Sequence, residues 1–216
     1  MNINLVYLEL EERIAERQGA TIVVFARIEY RKFGPLVFIS HLDLIRCWER
    51  IVRRANIRVS FTEGFHPRPK FSFSPPLPVG FEGERELLDL RLEEPSFDIK
   101  NKINEVVPYG IYVNNVFFIP YSDIGDSIIG GLYNFQWLGN TDRDRLEEGL
   151  KAFGLQDWIY STEQLVQTGI FNLKNSLSVP LLFRKDYPSP KKIVELIDNL
   201  GETVWLKLSR VQLLER

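Results

Sequence analysis

The sequence contains one cysteine, Cys47, and two histidines, His41 and His66. A single cysteine excludes an internal disulfide framework and any zinc or iron–sulfur site built from several cysteines. No window approaches the roughly 18 apolar residues of a membrane helix, and the N-terminus lacks the basic and apolar regions of a signal peptide. We therefore expect a cytoplasmic protein with no cofactor of its own and no membrane partner.

Charge is distributed unevenly along the chain. The 216 residues are 44% hydrophobic and 12% aromatic, enough for a packed core, and the net charge is only −2. Residues 21–80 carry ten Lys or Arg against four Asp or Glu, a net charge of +6, which leaves −8 for the remainder. This asymmetry predicts a basic face for an anionic partner, although solvated helix faces produce similar runs.

Residues 21–122 show the pattern of one folded unit. Strands are predicted from residue 21 and at 57–61, 84–93 and 111–119. A helix is predicted at 41–56, capped by Ser40, and a second one at 97–107. This order of strand, helix, strand, strand, helix, strand is that of a ferredoxin-like domain. Ser, Asp and Gly in residues 123–131 are typical of a linker.

The same order of predicted elements returns in residues 131–216. A strand at 131–138 precedes a helix at 141–154, for which Thr141 is the predicted cap. Two apolar runs around residues 169–183 supply a hairpin, and a helix at 190–201 leads into a last strand at 203–214. We therefore predict an α+β protein of two ferredoxin-like βαββαβ halves, residues 21–122 and 131–216. We expect residues 1–20 to form an N-terminal extension or arm.

The first predicted helix separates apolar from basic residues. Its apolar residues recur at the i, i+3, i+4, i+7 spacing, which gathers them on one side. At about 100° per residue, Arg46, Arg50 and Arg53 fall nearly opposite, in an outward stripe. The guanidinium group suits bidentate contact with phosphate, so the stripe is a candidate for binding an anion.

Residues 60–80 form the least ordinary segment of the sequence. Five prolines predict a stiff loop, with an edge strand at 70–74. Aromatic residues alternate with polar and cationic ones in this loop: Phe65, Phe71 and Phe73 with His66, Arg68, Lys70 and Ser72. Stacking faces beside positive charge suit single-stranded nucleic acid or a nucleotide. Alternatively, the phenylalanines fill the core beneath a loop braced by prolines.

Several motifs between Arg31 and Asp89 carry a resemblance to a known family. They are Arg31-Lys32, Gly34-Pro35, Ser40-His41-Leu42-Asp43, Arg46, Arg50, Arg53-Arg54-Ala55, Gly64-Phe65-His66-Pro67-Arg68-Pro69, Pro76-Leu77-Pro78, Gly80, Glu86 and Asp89. In these motifs the chain resembles the radical-SAM-linked bacterial family. This is a domain of unknown function that is encoded beside, or fused to, a cobalamin-binding-type radical S-adenosylmethionine (SAM) protein. Further along the chain only Ser209-Arg210 aligns.

The resemblance implies a partner and a setting rather than an activity. It implies a radical SAM enzyme as partner, a bacterial cytoplasm, and an RNA-metabolism or ribosome-linked context. The chain lacks the CxxxCxxC cysteines of a radical SAM domain, so it would be the accessory module.

We accordingly predict an accessory module that binds RNA or another anionic substrate. An alternative is a protein-interaction scaffold that docks the radical SAM partner through the aromatic and proline-rich loop. The predicted binding residues are Arg31, Lys32, His41, Arg46, Arg50, Arg53, Phe65, His66, Arg68, Lys70 and Phe71.

The sequence holds no complete catalytic signature, and His41 is the one weak catalytic candidate. Ser40, His41 and Asp43 are neighbours at a helix start, so they cannot place a base between a nucleophile and a carboxylate. Two histidines with Asp43 or Glu63 are too few and too scattered to predict a metal site. We expect Cys47 to be structural, since it lies beside the apolar helix face.

An enzyme interpretation comes from the predicted architecture. Duplicated ferredoxin-like domains resemble CRISPR-repeat-processing endoribonucleases, in which a histidine near the first helix acts as general acid or base. His41 stands at the corresponding place, and Lys70 or Arg46 would stabilise the phosphate in the transition state. The glycine-rich C-terminal loop of those enzymes is missing here, so this interpretation rests on analogy of fold.

Overall fold

The computed structural model describes residues 24–93, 96, 98–167 and 170–216. The predicted N-terminal extension, residues 1–20, and the first three residues of the predicted first strand lie outside these ranges.

The described chain contains eight strands and five helices, in an order that repeats. The first half comprises β1 (Val24–Lys32), α1 (His41–Arg54), β2 (Phe71–Phe73), β3 (Glu82–Leu92), α2 (Ile99–Asn104) and β4 (Ile111–Ile119). A short 3-10 helix, Gly34–Phe38, precedes α1. After α3 (Ile124–Ser127), the second half comprises β5 (Ile128–Leu138), α4 (Arg143–Ala152), β6 (Ile159–Gln167), β7 (Ile170–Leu182), α5 (Pro190–Asp198) and β8 (Val204–Glu215). The predicted mixture of helices and strands is confirmed.

All eight strands belong to one mixed sheet. Its strand order is β4-β1-β3-β8-β5-β7-β6, and β2 pairs with the later part of β3. The pairings are antiparallel except for a short parallel contact between β3 and β8, in which Glu82 lies opposite Ser209 and Gly83 opposite Arg210. This contact, which we call the junction, joins the two halves into a continuous sheet.

Each half has its own apolar core. In the first, alternate residues of β1, including Ala26 and Ile28, pack with Leu88 of β3 and with Trp48 of α1. In the second, aromatic residues of β5 pack against α4 and α5. The period of two along the strands and the 3.6-residue period along the helices produce these buried faces.

The predicted start of α1 is confirmed. The backbone N–H of Asp43 donates to Ser40 Oγ at 3.1 Å, and Ser40 Oγ donates to Asp43 Oδ2 at 2.7 Å. Leu44, Trp48 and Ile51 lie on the buried side of the helix, as their spacing predicts. The cap and this apolar stripe therefore orient α1 with its polar side outward.

Residues 57–61 do not form the predicted second strand. They make only isolated bridges, between Val59 and Leu92 and between Phe61 and Pro69. The strand that pairs with β3 is β2, within the segment predicted as an edge strand. Ile57 and Val59 are buried against the core, and the backbone of Arg58 and Ser60 hydrogen-bonds to the end of β3, so the segment pairs over too few residues to form a strand.

Two further predictions need correction. The cap of α4 is Asp142, whose side chain accepts from the N–H of Arg145, whereas Thr141 Oγ1 accepts from the indole N–H of Trp137 at 2.9 Å. The predicted linker at 123–131 contains α3 and the start of β5, because Ile124 and Ile128 are buried in a small apolar cluster. None of the helices within the described ranges is long and apolar enough to span a membrane.

Candidate functional site

The outward face of α1 carries an exposed arginine stripe. Arg46, Arg50 and Arg53 are all exposed on the side away from the core. Arg46 Nη1 lies 3.1 Å from Asp43 Oδ1, in an exposed pair that contributes little to stability. Arg50 and Arg53 have no ion pair with any residue that the structure describes. These two guanidinium groups are therefore available to a ligand.

Beside the stripe, residues 60–70 form a small turn-back segment, which we call the loop hairpin. The N–H of Thr62 donates to the carbonyl of Arg68, and the N–H of Lys70 to that of Ser60, both at 2.8 Å. At its tip Phe65 is fully exposed, and the neighbouring His66 is exposed as well. These backbone hydrogen bonds hold an aromatic ring and a cation, Arg68, on the same projecting segment.

A groove of about 380 Å³ runs between the C-terminal part of α1 and the loop hairpin. Arg53 and Arg58 line it together with the carboxylates of Glu49 and Glu93. Because both signs of charge are present, the groove is not a purely cationic channel. The arginine stripe, which meets the groove at Arg53, carries the positive charge that is not paired with described residues, on Arg50 and Arg53.

The other predicted aromatic and basic residues occupy different surroundings. Phe71 is half-buried and packs against the first core, so its ring is not freely presented. Arg31 is exposed, with its guanidinium 5.3 Å from the ring centre of Phe33. His41 is half-buried and meets the ring of Phe73 edge-on at 5.5 Å.

Lys32 differs from the other predicted binding residues because it is buried. Only 2% of its surface is exposed, and it faces inward like the even-numbered residues of β1 before it. Its surroundings form a partly enclosed cavity next to the junction, which we call the junction pocket. The pocket is lined by Tyr30, Lys32, His41, Leu44, residues 73–77 and Glu86. Its inner space of about 10 Å³ is room for one water molecule.

Glu86, which lines the pocket, belongs to a buried ion pair with Arg210. Arg210 donates through Nε to Glu86 Oε1 at 2.8 Å and through Nη2 to Glu86 Oε2 and to the carbonyl of Pro75. Ser74 Oγ also donates to Glu86 Oε2, at 3.2 Å. A Cβ atom at Gly131 would lie 2.8 Å from Arg210 Cδ, so glycine is required there for the guanidinium to fit.

The charges in the pocket shift the pKa values of its basic groups. Burial lowers the pKa of Lys32, and the positive charge of Arg210 lowers it further, while the Glu86 carboxylate acts in the opposite direction. Burial and the charge of Lys32 likewise lower the pKa of His41. For Arg210, burial lowers the pKa, but the charge and hydrogen bonds of Glu86 outweigh it and raise the pKa overall.

The structure brings most of the predicted binding residues together in two groups and leaves Arg31 and Phe71 outside both. The first group consists of the arginine stripe and the loop hairpin. The second group is Lys32 with His41, and sequence reasoning did not anticipate that Glu86 and Arg210 would join them. The alternation of buried and exposed residues along β1 does place Lys32 on the inward face, so the burial of this lysine could have been predicted from the sequence.

Comparison with known proteins assigns the chain to a family. Residues 26–178, more than two thirds of the chain, match the family described as "Uncharacterized protein conserved in bacteria (DUF2344)". The chain belongs to this family. The match includes Lys32, His41 and Glu86 and ends before Arg210. Among curated proteins no match was found.

One solved structure aligns with much of the chain. The crystal structure of an unknown protein from Galdieria sulphuraria is 11% identical, and the alignment covers 85% of this chain and 98% of that one. Its TM-score is 0.25, which is too low to carry an argument about fold or function.

Proposed function

We propose that the protein is an accessory module of a radical SAM enzyme system and binds RNA, or another anionic substrate, through its exposed basic surface. The observation that carries this proposal is that Arg50 and Arg53 are exposed and form no ion pair with the described residues. Arg53 also lines the groove beside the loop hairpin. The hairpin adds an exposed ring, Phe65, and a further cation, Arg68.

These groups match the two requirements for single-stranded nucleic acid. Exposed arginines neutralise backbone phosphates and release counterions, so binding weakens steeply as salt rises. An exposed ring on a held segment offers a stacking surface for a base. The ring of Phe65 is fully exposed and does not pack against the core, which favours a role in contact with a partner.

A radical SAM enzyme as partner is supported by the motifs between Arg31 and Asp89. The chain has a single cysteine, so the iron–sulfur cluster chemistry would come from that partner.

Each half is proposed to be a ferredoxin-like unit. Support for this comes from the strand orders β4-β1-β3-β2 and β8-β5-β7-β6, which correspond element by element.

The test is a titration of the purified protein with a fluorescent single-stranded RNA at several salt concentrations. Wild type should bind with a steep salt dependence, and Arg50→Ala and Arg53→Ala should each reduce the slope by about 0.7 if each neutralises one phosphate. Arg145→Ala is the matched control, because Arg145 is an exposed arginine on α4 of the other half. Absence of any salt-sensitive binding by wild type would overturn the proposal.

A protein-docking scaffold is the second candidate, and a separate surface favours it. A groove of about 350 Å³ near the junction is lined by apolar residues including Val37, Phe38 and Leu206. Phe38 is 73% exposed, and the nearby Val79 is exposed as well. Docking on this groove would depend little on salt and would be weakened by Phe38→Ser, whereas the arginine variants would leave it unchanged.

The endoribonuclease interpretation is favoured by one observation, the cation beside His41. That cation is Lys32 rather than Lys70 or Arg46, since Lys32 and His41 share the junction pocket. Cleavage of the bound RNA by wild type, with loss of cleavage in His41→Ala, would support this alternative. Intact RNA after prolonged incubation would exclude it.

A further inference from the structure

Among the residues that the structure describes, Lys32 has no anionic partner of its own. Both carboxylate oxygens of Glu86 accept from Arg210, and Oε2 also accepts from Ser74. Lys32 itself makes no side-chain hydrogen bond or ion pair with the residues described. The pocket therefore places two cations, Lys32 and Arg210, around a single carboxylate that Arg210 already occupies.

An ammonium group left in this position is costly. A largely buried charge without a hydrogen-bonded counterion loses much of its hydration, and the carboxylate of Glu86, already bonded to Arg210, compensates only in part. Two events can relieve the cost: the amine gives up its proton, or an anion enters beside it. In the free protein, burial and the positive charge of Arg210 favour loss of the proton from Lys32. When an anionic ligand is present, the same positive charge favours entry of the anion.

The pocket limits the size and form of such an anion. Its inner space accepts about one water molecule, hence one oxygen atom, beside Lys32. His41 is half-buried and is the first residue of α1, so the site adjoins the positive end of a 14-residue helix. Asp43 in the same first turn is exposed and is already bonded to Ser40 and Arg46.

We propose that the junction pocket binds a terminal phosphate group, with one oxygen inside the pocket against Lys32 and the others at the half-buried ring of His41 and the start of α1. A phosphate monoester carries close to two negative charges near neutral pH and three terminal oxygens, so it can fill the pocket and still reach groups outside it. A carboxylate has one oxygen fewer and one charge at most.

This inference rests on the proposed function, because nucleic acid is the ligand that would bring a terminal phosphate to this place. Arg46 and Arg50 follow His41 by five and nine residues along α1, roughly 7 and 14 Å at 1.5 Å per residue. At about 100° per residue, Arg46 and Arg50 also lie about 140° and 180° around the helix from His41. A strand whose end is held in the junction pocket would therefore pass over the start of α1 to reach the arginine stripe on its outer side.

Binding of the phosphate is coupled to a proton. The groups that face Lys32 are Glu86 of β3, Arg210 of β8, His41 of α1 and Tyr30 of its own strand. The entering anion adds negative charge to this set and raises the pKa of Lys32 towards its ordinary value. Between the lowered pKa of Lys32 and its ordinary value of 10.5, wild type should therefore take up protons on binding, and Lys32→Met should take up fewer.

The experiment tests each end in turn by comparing two single-stranded RNAs of one sequence, one with a phosphate at that end and one without, by calorimetry in two buffers of different ionisation enthalpy. For wild type we expect the phosphate at one end to tighten binding about tenfold or more, as for a charge-assisted hydrogen bond. Lys32→Met should remove this preference and reduce the proton uptake. Arg50→Ala should weaken both RNAs equally, and Arg145→Ala should change neither.

Inorganic phosphate, added without RNA, tests the pocket separately from the proposed function. Binding of inorganic phosphate by wild type but not by Lys32→Met, with no RNA binding at all, would support the pocket and overturn the proposed function. Equal affinity of wild type for RNA with and without a phosphate at either end, or an undiminished preference in Lys32→Met, would overturn the pocket. His41→Gln is the second variant, should Lys32→Met fail to melt cooperatively, and it should reduce the phosphate preference.

Discussion

Arg210 and Glu86, 124 residues apart, form a buried ion pair beside the junction, where β3 and β8 run parallel. The side chain of Arg210 is fully buried and that of Glu86 is 5% exposed, so water does not screen the pair. Its hydrogen bonds extend to Ser74 and to the carbonyl of Pro75. A charged pair thus sits where the two apolar cores adjoin.

Removal of one partner of this pair should be strongly destabilising. Arg210→Met leaves the Glu86 carboxylate buried without its partner, for which we expect a loss of about 3–5 kcal/mol in the free energy of unfolding. Urea denaturation measures it. Arg184→Met is the control, because Arg184 forms an exposed pair with Asp186 and should contribute little. Similar small losses in both variants would contradict the prediction.

Stability should depend on pH through Lys32. Its pKa in the folded protein is lowered from the ordinary value of 10.5, so below the folded pKa the charged lysine destabilises the native state fully. As pH rises from that lowered pKa to about 10.5, the unfolded state holds more protons and this cost disappears. Lys32→Met should therefore stabilise the protein at pH 7 by more than at pH 10.5. A pH-independent difference in melting temperature would contradict this.

Ser40 is expected to stabilise α1 and to hold the pKa of Asp43 low. Ser40→Ala should cost about 1 kcal/mol of stability, while Ser40→Asp, which retains a capping oxygen, should cost less. The hydrogen bond from Ser40 is the main cause of the lowered pKa of Asp43. In Ser40→Ala, NMR titration of the Asp43 carboxyl should show a higher pKa. An unchanged pKa would mean that Arg46 alone accounts for the shift.

Phe65 is exposed and Phe73 is packed against the first core, so their alanine variants form a matched pair. Phe65→Ala should leave the free energy of unfolding within about 0.5 kcal/mol, because the ring is fully exposed, yet weaken RNA binding. Phe73→Ala should destabilise, since Phe73 packs against the first core and the His41 ring. Thermal melting and RNA titration separate the two effects. Unchanged RNA affinity in Phe65→Ala would remove the stacking part of the proposal.

Cys47 should react slowly and be dispensable. Burial raises the pKa of its thiol, although Arg50 and Arg54 act in the opposite direction, so little thiolate exists at neutral pH. An aromatic disulfide reagent at pH 7 should react with Cys47 more slowly than with a free small thiol. Cys47→Ala should retain RNA binding and fold. Fast reaction, or loss of binding with stability unchanged, would point to a functional thiol.

The sequence predicts the regular elements well where periodicity and caps agree. Ser40 and the apolar stripe of α1 locate that helix, and β4 has the predicted bounds. Prediction fails at residues 57–61, where the contact with β3 is a single bridge beside buried side chains, and at 123–131, where a short helix stands in a segment rich in small residues. Local pattern does not distinguish burial from strand pairing.

The candidate site is predictable only in part. Exposure of Arg46, Arg50 and Arg53 follows from helix geometry within one element. The junction pocket depends on a contact between β3 and β8, far apart in the sequence, so no local pattern brings Lys32, Glu86 and Arg210 together. Only the inward position of Lys32 in β1 hinted at an unusual lysine.

The central position of β8 has a consequence for biosynthesis. β8 lies between β3 and β5 in the sheet but follows every other described strand in the chain. A ribosome that releases the chain in order leaves the partner edge of β5 exposed for on the order of ten seconds, at 5–20 residues per second. Nascent chains therefore carry an open edge capable of pairing with other chains, and closure of the sheet must await the last strand.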